Sequence, residues 1–141
     1  MKELPIRYSI AKICCALALA CFVGQVVADA LPRSLVGVWA TDGSVLKGQL
    51  LFEGEALYLG ADGVGAIVGG PPPIGIKVIA SFNPVNGTIS LDILEHDKVV
   101  GHGAAIYDAS TASVSFGDPA HPLLHRRFEE VSSATIKALG L

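Results

Sequence analysis

The sequence predicts an all-β fold. It reads as a single small antiparallel meander, closed as a β-barrel of eight or nine short strands and followed by a short C-terminal helix. Three observations predict this. Apolar and polar residues alternate with a period of two in several runs of the 141-residue chain. Asn-Gly, Asp-Gly and similar turn signals separate those runs at intervals of about ten residues. The long apolar run at the start carries the marks of an export signal rather than of a strand or a core helix.

That leading run comes first in order. Lys2, Arg7 and Lys12 outweigh Glu3, and the stretch from Ile13 to Gly24 is uncharged and almost wholly apolar. Val26-Val27-Ala28-Asp29-Ala30 then supplies small residues in an A-x-A-like arrangement. The positive end stays on the cytoplasmic side, the apolar stretch partitions into the bilayer, and signal peptidase needs small side chains at the scissile bond. A membrane-spanning helix wants about 20 apolar residues, and this run is shorter and is broken by Gln25 and Asp29. Residues 1–30 are therefore expected to be a secretory signal peptide, cleaved after Ala28 or Ala30. Residues 31–141 are then the working domain, exported to a periplasm or secreted. Ala18-Leu19-Ala20-Cys21 offers lipidation of Cys21 as an alternative. Otherwise contact with the membrane is expected only during export.

The strands follow. Ile76, Val78, Ala80 and Phe82 alternate with Lys77, Ile79 and Ser81; Ile89, Leu91 and Ile93 alternate with Thr88, Ser90 and Asp92. Alternation turns one face to a core and the other to water. The predicted strands are 36–41, 45–52, 56–60, 64–68, 75–82, 88–94, 99–107, 112–116 and 123–129. The turns between them are Asp42-Gly43, Glu53-Gly54-Glu55, Asp62-Gly63, Asn86-Gly87, Asp97-Lys98 and Asp108-Ala109-Ser110. Gly69-Gly70-Pro71-Pro72-Pro73 reads as a stiff connection, because proline cannot donate to a ladder. A short helix is expected to open at Ser132 or Ser133, where a hydroxyl can cap it, and to end at Gly140.

Composition narrows the function. Removing residues 1–30 leaves 111 residues, enough for one core. It takes away three cations and two anions, so the net charge moves from −3 to −4. Arg126-Arg127 is the only adjacent pair of cations in the domain, which excludes the clustered positive charge that nucleic acids and anionic membranes demand. Cys14, Cys15 and Cys21 all precede the domain. It is therefore disulfide-free and has neither thiol chemistry nor cysteine metal ligands.

Leu35-Val36-Gly37-Val38-Trp39 stands near the start of the domain and His125-Arg126-Arg127-Phe128 near its end. The pair resembles the lipocalin-like (calycin-type) pattern, with Gly-x-Trp on the first strand and an arginine on the last. The resemblance implies that Gly37 permits close backbone approach, that Trp39 plugs one end of the barrel, and that Arg126 or Arg127 lies over its ring. A guanidinium over an indole gains packing and cation–π attraction. The domain is short for a full lipocalin and lacks the cysteines that often staple such barrels, which argues against a capacious cavity.

No catalytic motif is found. G-x-S-x-G and the P-loop are absent. Gly63-Val64-Gly65-Ala66-Ile67-Val68-Gly69 misses the dinucleotide spacing and sits among strands. Glu95-His96-Asp97 reads as a solvated turn, and Pro122 argues against a helix that would pair His121 with His125. Asn86-Gly87-Thr88 matches a glycosylation sequon, and a hairpin turn explains its Asn-Gly. No enzyme, metal or cofactor is expected. The preferred expectation is an interaction protein of inhibitor or immunity type, gripping another protein with its loops or outer face. The alternative is a carrier of a small apolar ligand, lined by Phe52, Tyr58, Phe82, His102 and Tyr107 with Trp39 and Arg126 or Arg127 at the closed end. A structural envelope component is a third reading, favoured if Cys21 is lipidated.

Overall fold

The computed structural model describes residues 30–141. The expected signal segment as far as Asp29, with its Ala28 cleavage site and Cys21, lies outside the described residues. Nine strands and one helix follow: β1 Gly37–Thr41, β2 Val45–Lys47, β3 Leu50–Leu59, β4 Val64–Gly70, β5 Ile74–Asn83, β6 Thr88–Glu95, β7 Lys98–Asp108, β8 Ser113–Ser115, β9 Leu124–Phe128 and α1 Ser133–Leu139. All pairings are antiparallel. β1 pairs with both β9 and β3, so β1 and β3 to β9 form a closed eight-stranded barrel. The short β2 pairs only with the first part of β3. The all-β class, the barrel and the C-terminal helix expected from the sequence are thus present.

One end of the barrel, here the lower, carries Gly37 and the turns around 60–63, 84–87 and 109–112. The upper end carries the loops at 42–44, 71–73, 96–97 and 116–123. The proline segment is a three-residue hairpin connection, 71–73, between paired strands. His96 and Asp97 form the two-residue turn between β6 and β7, both with positive φ (50° and 61°). Those are the dihedrals of the mirror-image turn that matches strand twist.

One expected boundary needs correcting. The run 45–52 is not a single strand; its hairpin turn falls at Gly48-Gln49, between β2 and β3. The expected turn at Glu53-Gly54-Glu55 is instead a sharp bend inside β3. The Tyr58 hydroxyl reaches back to the Gln49 carbonyl (2.6 Å) and accepts from the Leu51 amide (2.9 Å), contacts a straight strand cannot make. Gly54 has φ 108°, and a Cβ there would lie 2.2 Å from Ser44 Oγ. Ser44 Oγ accepts from the Glu55 amide (3.0 Å) and donates to its carbonyl (3.1 Å), replacing ladder bonds at the bend.

The bend creates a second layer. Inside the barrel, Trp39, Leu57, Leu59, Val78, Ala80, Ile89, Leu91, Ala105, Val114 and Leu124 form the main core. Outside, Val38, Ala40, Ala56, Tyr58, Ala66 and Val68 form another, covered by Leu46 and Leu51 of the folded-back hairpin and by Val131, Leu139 and Leu141. Both faces of β1 and of Ala56–Leu59 are therefore buried. Helix α1 is well terminated. Ser132 Oγ accepts from the Thr135 amide (3.2 Å). Gly140 (φ 72°) and Leu141 donate to Lys137 and Ile136, which satisfies the last carbonyls. Gln49 ties α1 to the hairpin: it donates to the Glu130 carbonyl (2.9 Å) and accepts from the Ser132 amide (2.8 Å).

Candidate functional site

The lower end is closed by side chains. Trp39, 1% exposed, donates its indole N–H to the Leu35 carbonyl (2.9 Å). Tyr107 meets it edge-on at 5.9 Å, and Phe82 meets Tyr107 at 6.2 Å. The Arg126 guanidinium lies 5.8 Å from the indole centre. It donates to the carbonyls of Val36 (3.0 Å), Arg33 (2.7 Å) and Glu129 (3.2 Å), strapping the segment before β1 across the barrel floor. Gly37 makes this possible: with φ 138°, a Cβ there would fall 2.0 Å from the Phe128 carbonyl oxygen. Of the two arginines, Arg126 covers Trp39. Arg127 is the extra residue of a bulge opposite Val38/Trp39, and it donates to the carbonyls of Thr41 (3.0 Å), Asp42 (3.2 Å) and Ser44 (3.3 Å). Both guanidinium groups are engaged with backbone.

The expected ligand lining does not assemble. Phe82 and Tyr107 do pack on the interior cluster. Tyr58 faces the outer cluster instead, because the folded-back hairpin and α1 bury that face. Burial raises its phenol pKa above the ordinary 10.0, more than the Leu51 amide lowers it. Phe52 sits on the exposed side of the hairpin with the Lys47 ammonium 4.1 Å from its ring centre. His102 is paired with Asp92 (Nδ1 to Oδ1 2.8 Å) on the outer face, because its register partner on β6 is Asp92. Phe52, Tyr58 and His102 are thus corrected from lining to outer-surface or outer-core positions.

Two concavities stand out among the described residues. A shallow cleft of about 1130 Å³ runs below the floor, between Leu31–Val36, the 60–62 turn and Arg126–Ile136. Its walls mix Arg33, Asp62, Glu129 and Glu130 with Phe128 and Ile136. At the upper mouth, a cavity of about 210 Å³ is lined by Glu55, Ile67, Val68, Phe116, His121 and Leu124. The 116–123 loop folds over it. His121 Nε2 meets Glu55 Oε2 at 2.7 Å, and its ring stands edge-on to Phe116 at 5.3 Å. No local signal marks this pair, because Glu55 and His121 lie far apart in the chain.

The barrel wall is incomplete above this loop's root. β8 ends at Ser115 and pairs only with Ile106–Asp108 of β7. Phe116 turns inward to the core and Gly117 (φ 85°) redirects the chain. Lys98–Ala105 of β7 therefore has β6 on one edge and no strand on the other. The Tyr107 amide donates to Gly87 on the β6 side (2.9 Å). By strand alternation, the amides and carbonyls of His102 and Ala104 point to the open side. Among the described residues, neither amide has a hydrogen-bond partner. On this strand Val100 is 58% exposed; Ile76, across β6 on β5, is 46% exposed.

The remaining charges make local turns and pairs. Asp108 accepts from the Ser110 hydroxyl (2.6 Å) and amide (2.9 Å), which holds its carboxyl below the ordinary range. His125 meets Asp42 (3.0 Å) and Lys77 meets Asp97 (3.4 Å). Among the described residues, no three His, Cys, Asp or Glu side chains converge as metal ligands, and no helix is long and apolar enough to cross a membrane. No protein-family model matches the chain. No curated protein and no solved structure matches it either. The closed antiparallel barrel is consistent with a lipocalin-like fold on its architecture alone.

Proposed function

We propose that the chain is an exported, non-catalytic interaction protein that binds another protein in the envelope or outside the cell. The observation that carries this reading is the filled and strapped lower half of the barrel. Trp39, Tyr107 and Phe82 occupy the lower barrel, and Arg126 straps it shut. The cavity at the mouth, about 210 Å³, is below the roughly 300–1,000 Å³ of ordinary ligand pockets, and the larger cleft of about 1130 Å³ lies below the floor among Arg33, Asp62, Glu129 and Glu130. Among the described residues, the upper part of β7 instead has an unpaired edge, with Val100 of the same strand 58% exposed. The leader pattern of residues 1–30 supports export.

Carriage of a small apolar molecule is the second reading, favoured by the apolar walls Ile67, Val68, Phe116 and Leu124 of the mouth cavity. Native mass spectrometry of the protein purified from its exporting cell separates the two. A protein partner at fixed stoichiometry is the expected result. A co-purifying small molecule overturns it in favour of the carrier, and a bare monomer counts against tight binding of either kind.

A further inference from the structure

We propose that the upper half of β7 receives an extended segment of a partner protein as an added strand, seated in the track that β8 vacates at Ser115. This rests on the interaction-protein reading and names the surface and the form of the partner. The backbone argument comes first. His102 and Ala104 present donors and acceptors to the open side of β7, and an extended chain satisfies such a row in register. Gly101–Ala105, the regular run beyond the Val100 bulge, matches a strand of about five residues at about 3.3 Å each.

The side-chain argument is independent. Gly101 and Gly103 stand opposite Ile93 and Leu91, both of the interior face, so their missing side chains are missing from the inside of the barrel. Neither has a positive φ, so backbone conformation does not call for glycine at either position. A Cβ on Gly103 would meet nothing within 4 Å, and one on Gly101 would meet only Ile93, at 3.8 Å. What these glycines leave is inward space. Ile76 borders it from the same face, since its register partner Ile67 packs on the interior cluster. A segment with apolar residues at alternate positions fills that space from one face and shows polar residues to water from the other.

The track has room for one strand rather than a sheet. Beyond Ser115 the chain leaves as the 116–123 loop and returns to β9 only at Leu124, opposite Val114, so that loop borders the track. A second copy pairing through its own β7 would bring its β6 into that position. The Val100 bulge also limits self-pairing in register to Gly101–Ala105.

The test uses the exported protein and the end-blocked peptide Lys-Val-Thr-Val-Thr-Val-Lys, followed by amide hydrogen exchange in NMR spectra. The inference expects saturable binding that slows exchange of the His102 and Ala104 amides by at least about tenfold. Gly103→Val fills the inward space and Ala104→Pro removes an edge donor; each should weaken binding by at least about tenfold. Gly103→Val should leave the thermal midpoint within about 3 °C, since its Cβ meets no atom. No binding at millimolar peptide, or binding that leaves both amides exchanging at the free rate, overturns the inference. Protection that grows with protein concentration in the absence of peptide overturns it in favour of a second copy. A natural partner seen by native mass spectrometry that leaves both amides open sinks the strand addition and leaves the interaction-protein reading standing.

Discussion

β3 and β7 are long strands on opposite sides of the barrel, ten and eleven residues, and their environments contrast. Ala56–Leu59 of β3 is paired on both edges, by β1 and β4, and buried on both faces. In β7 only Ala105 is fully buried; among the described residues one edge is unpaired for most of its length and no second layer lies on the outer face. Strand length therefore does not decide how firmly a wall is held. What differs is the second layer: the hairpin folded back at Gly54 and helix α1 lie over β1, β3 and β4 alone. The first wall is where the fold is secured, and the second leaves backbone donors and acceptors unpaired among the described residues.

Substitutions on the two walls should separate in size. Trp39→Ala removes the floor plug with its indole hydrogen bond, and should cost about 3–5 kcal/mol by denaturant titration; a loss below about 1 kcal/mol would show that the lower end is not sealed as described. Tyr58→Phe strips the Gln49 carbonyl and the buried Leu51 amide of their partner, at about 1–3 kcal/mol. Ser132→Ala removes the cap of the covering helix, at about 0.5–2 kcal/mol. Ile76→Ala, on the half-open wall, should cost less than about 1 kcal/mol, because much of its surface is already wet. Equal losses for Tyr58→Phe and Ile76→Ala would erase the contrast.

Tyr58 also gives the contrast a pH signature. Its folded-state pKa is raised, so the neutral phenol is favoured in the folded protein. The resulting stability is fully present below the unfolded value near 10 and is lost as pH rises through the higher folded value. Alkaline titration of wild type against Tyr58→Phe should show the wild type losing stability more steeply above that range. Parallel curves would mean that the phenol is not buried as placed.

Much of the second wall was legible in the sequence. Alternation along Ile76–Phe82 and Ile89–Ile93 placed β5 and β6 and chose their inward faces, because there one face is covered and one is wet. The Ser132 and Gly140 caps were legible because capping is local chemistry. The first wall was less so. Val38-Trp39-Ala40 and Leu57-Tyr58-Leu59 are continuous apolar runs, which say that both faces are buried but not what covers the outer one. Tyr58 went to the outside through a layer assembled from Leu46, Leu51, Leu139 and Leu141, distant in the chain. Gly54 looked like a turn because a bend and a turn ask the same of a backbone. An arginine over Trp39 was expected from the lipocalin-like resemblance, which left Arg126 and Arg127 open; the choice between them depended on a bulge that no local signal marks. The His121–Glu55 contact and the bare edge of β7 were invisible for the same reason: both depend on where β8 stops.

Native-state hydrogen exchange on the free protein tests the central claim most directly. The account predicts that the amides of Leu57 and Tyr58 exchange only with global unfolding, while those of His102 and Ala104 exchange near the rate of an unstructured chain. Comparable protection at the two walls would contradict it, because the upper edge of β7 would then already have its partner.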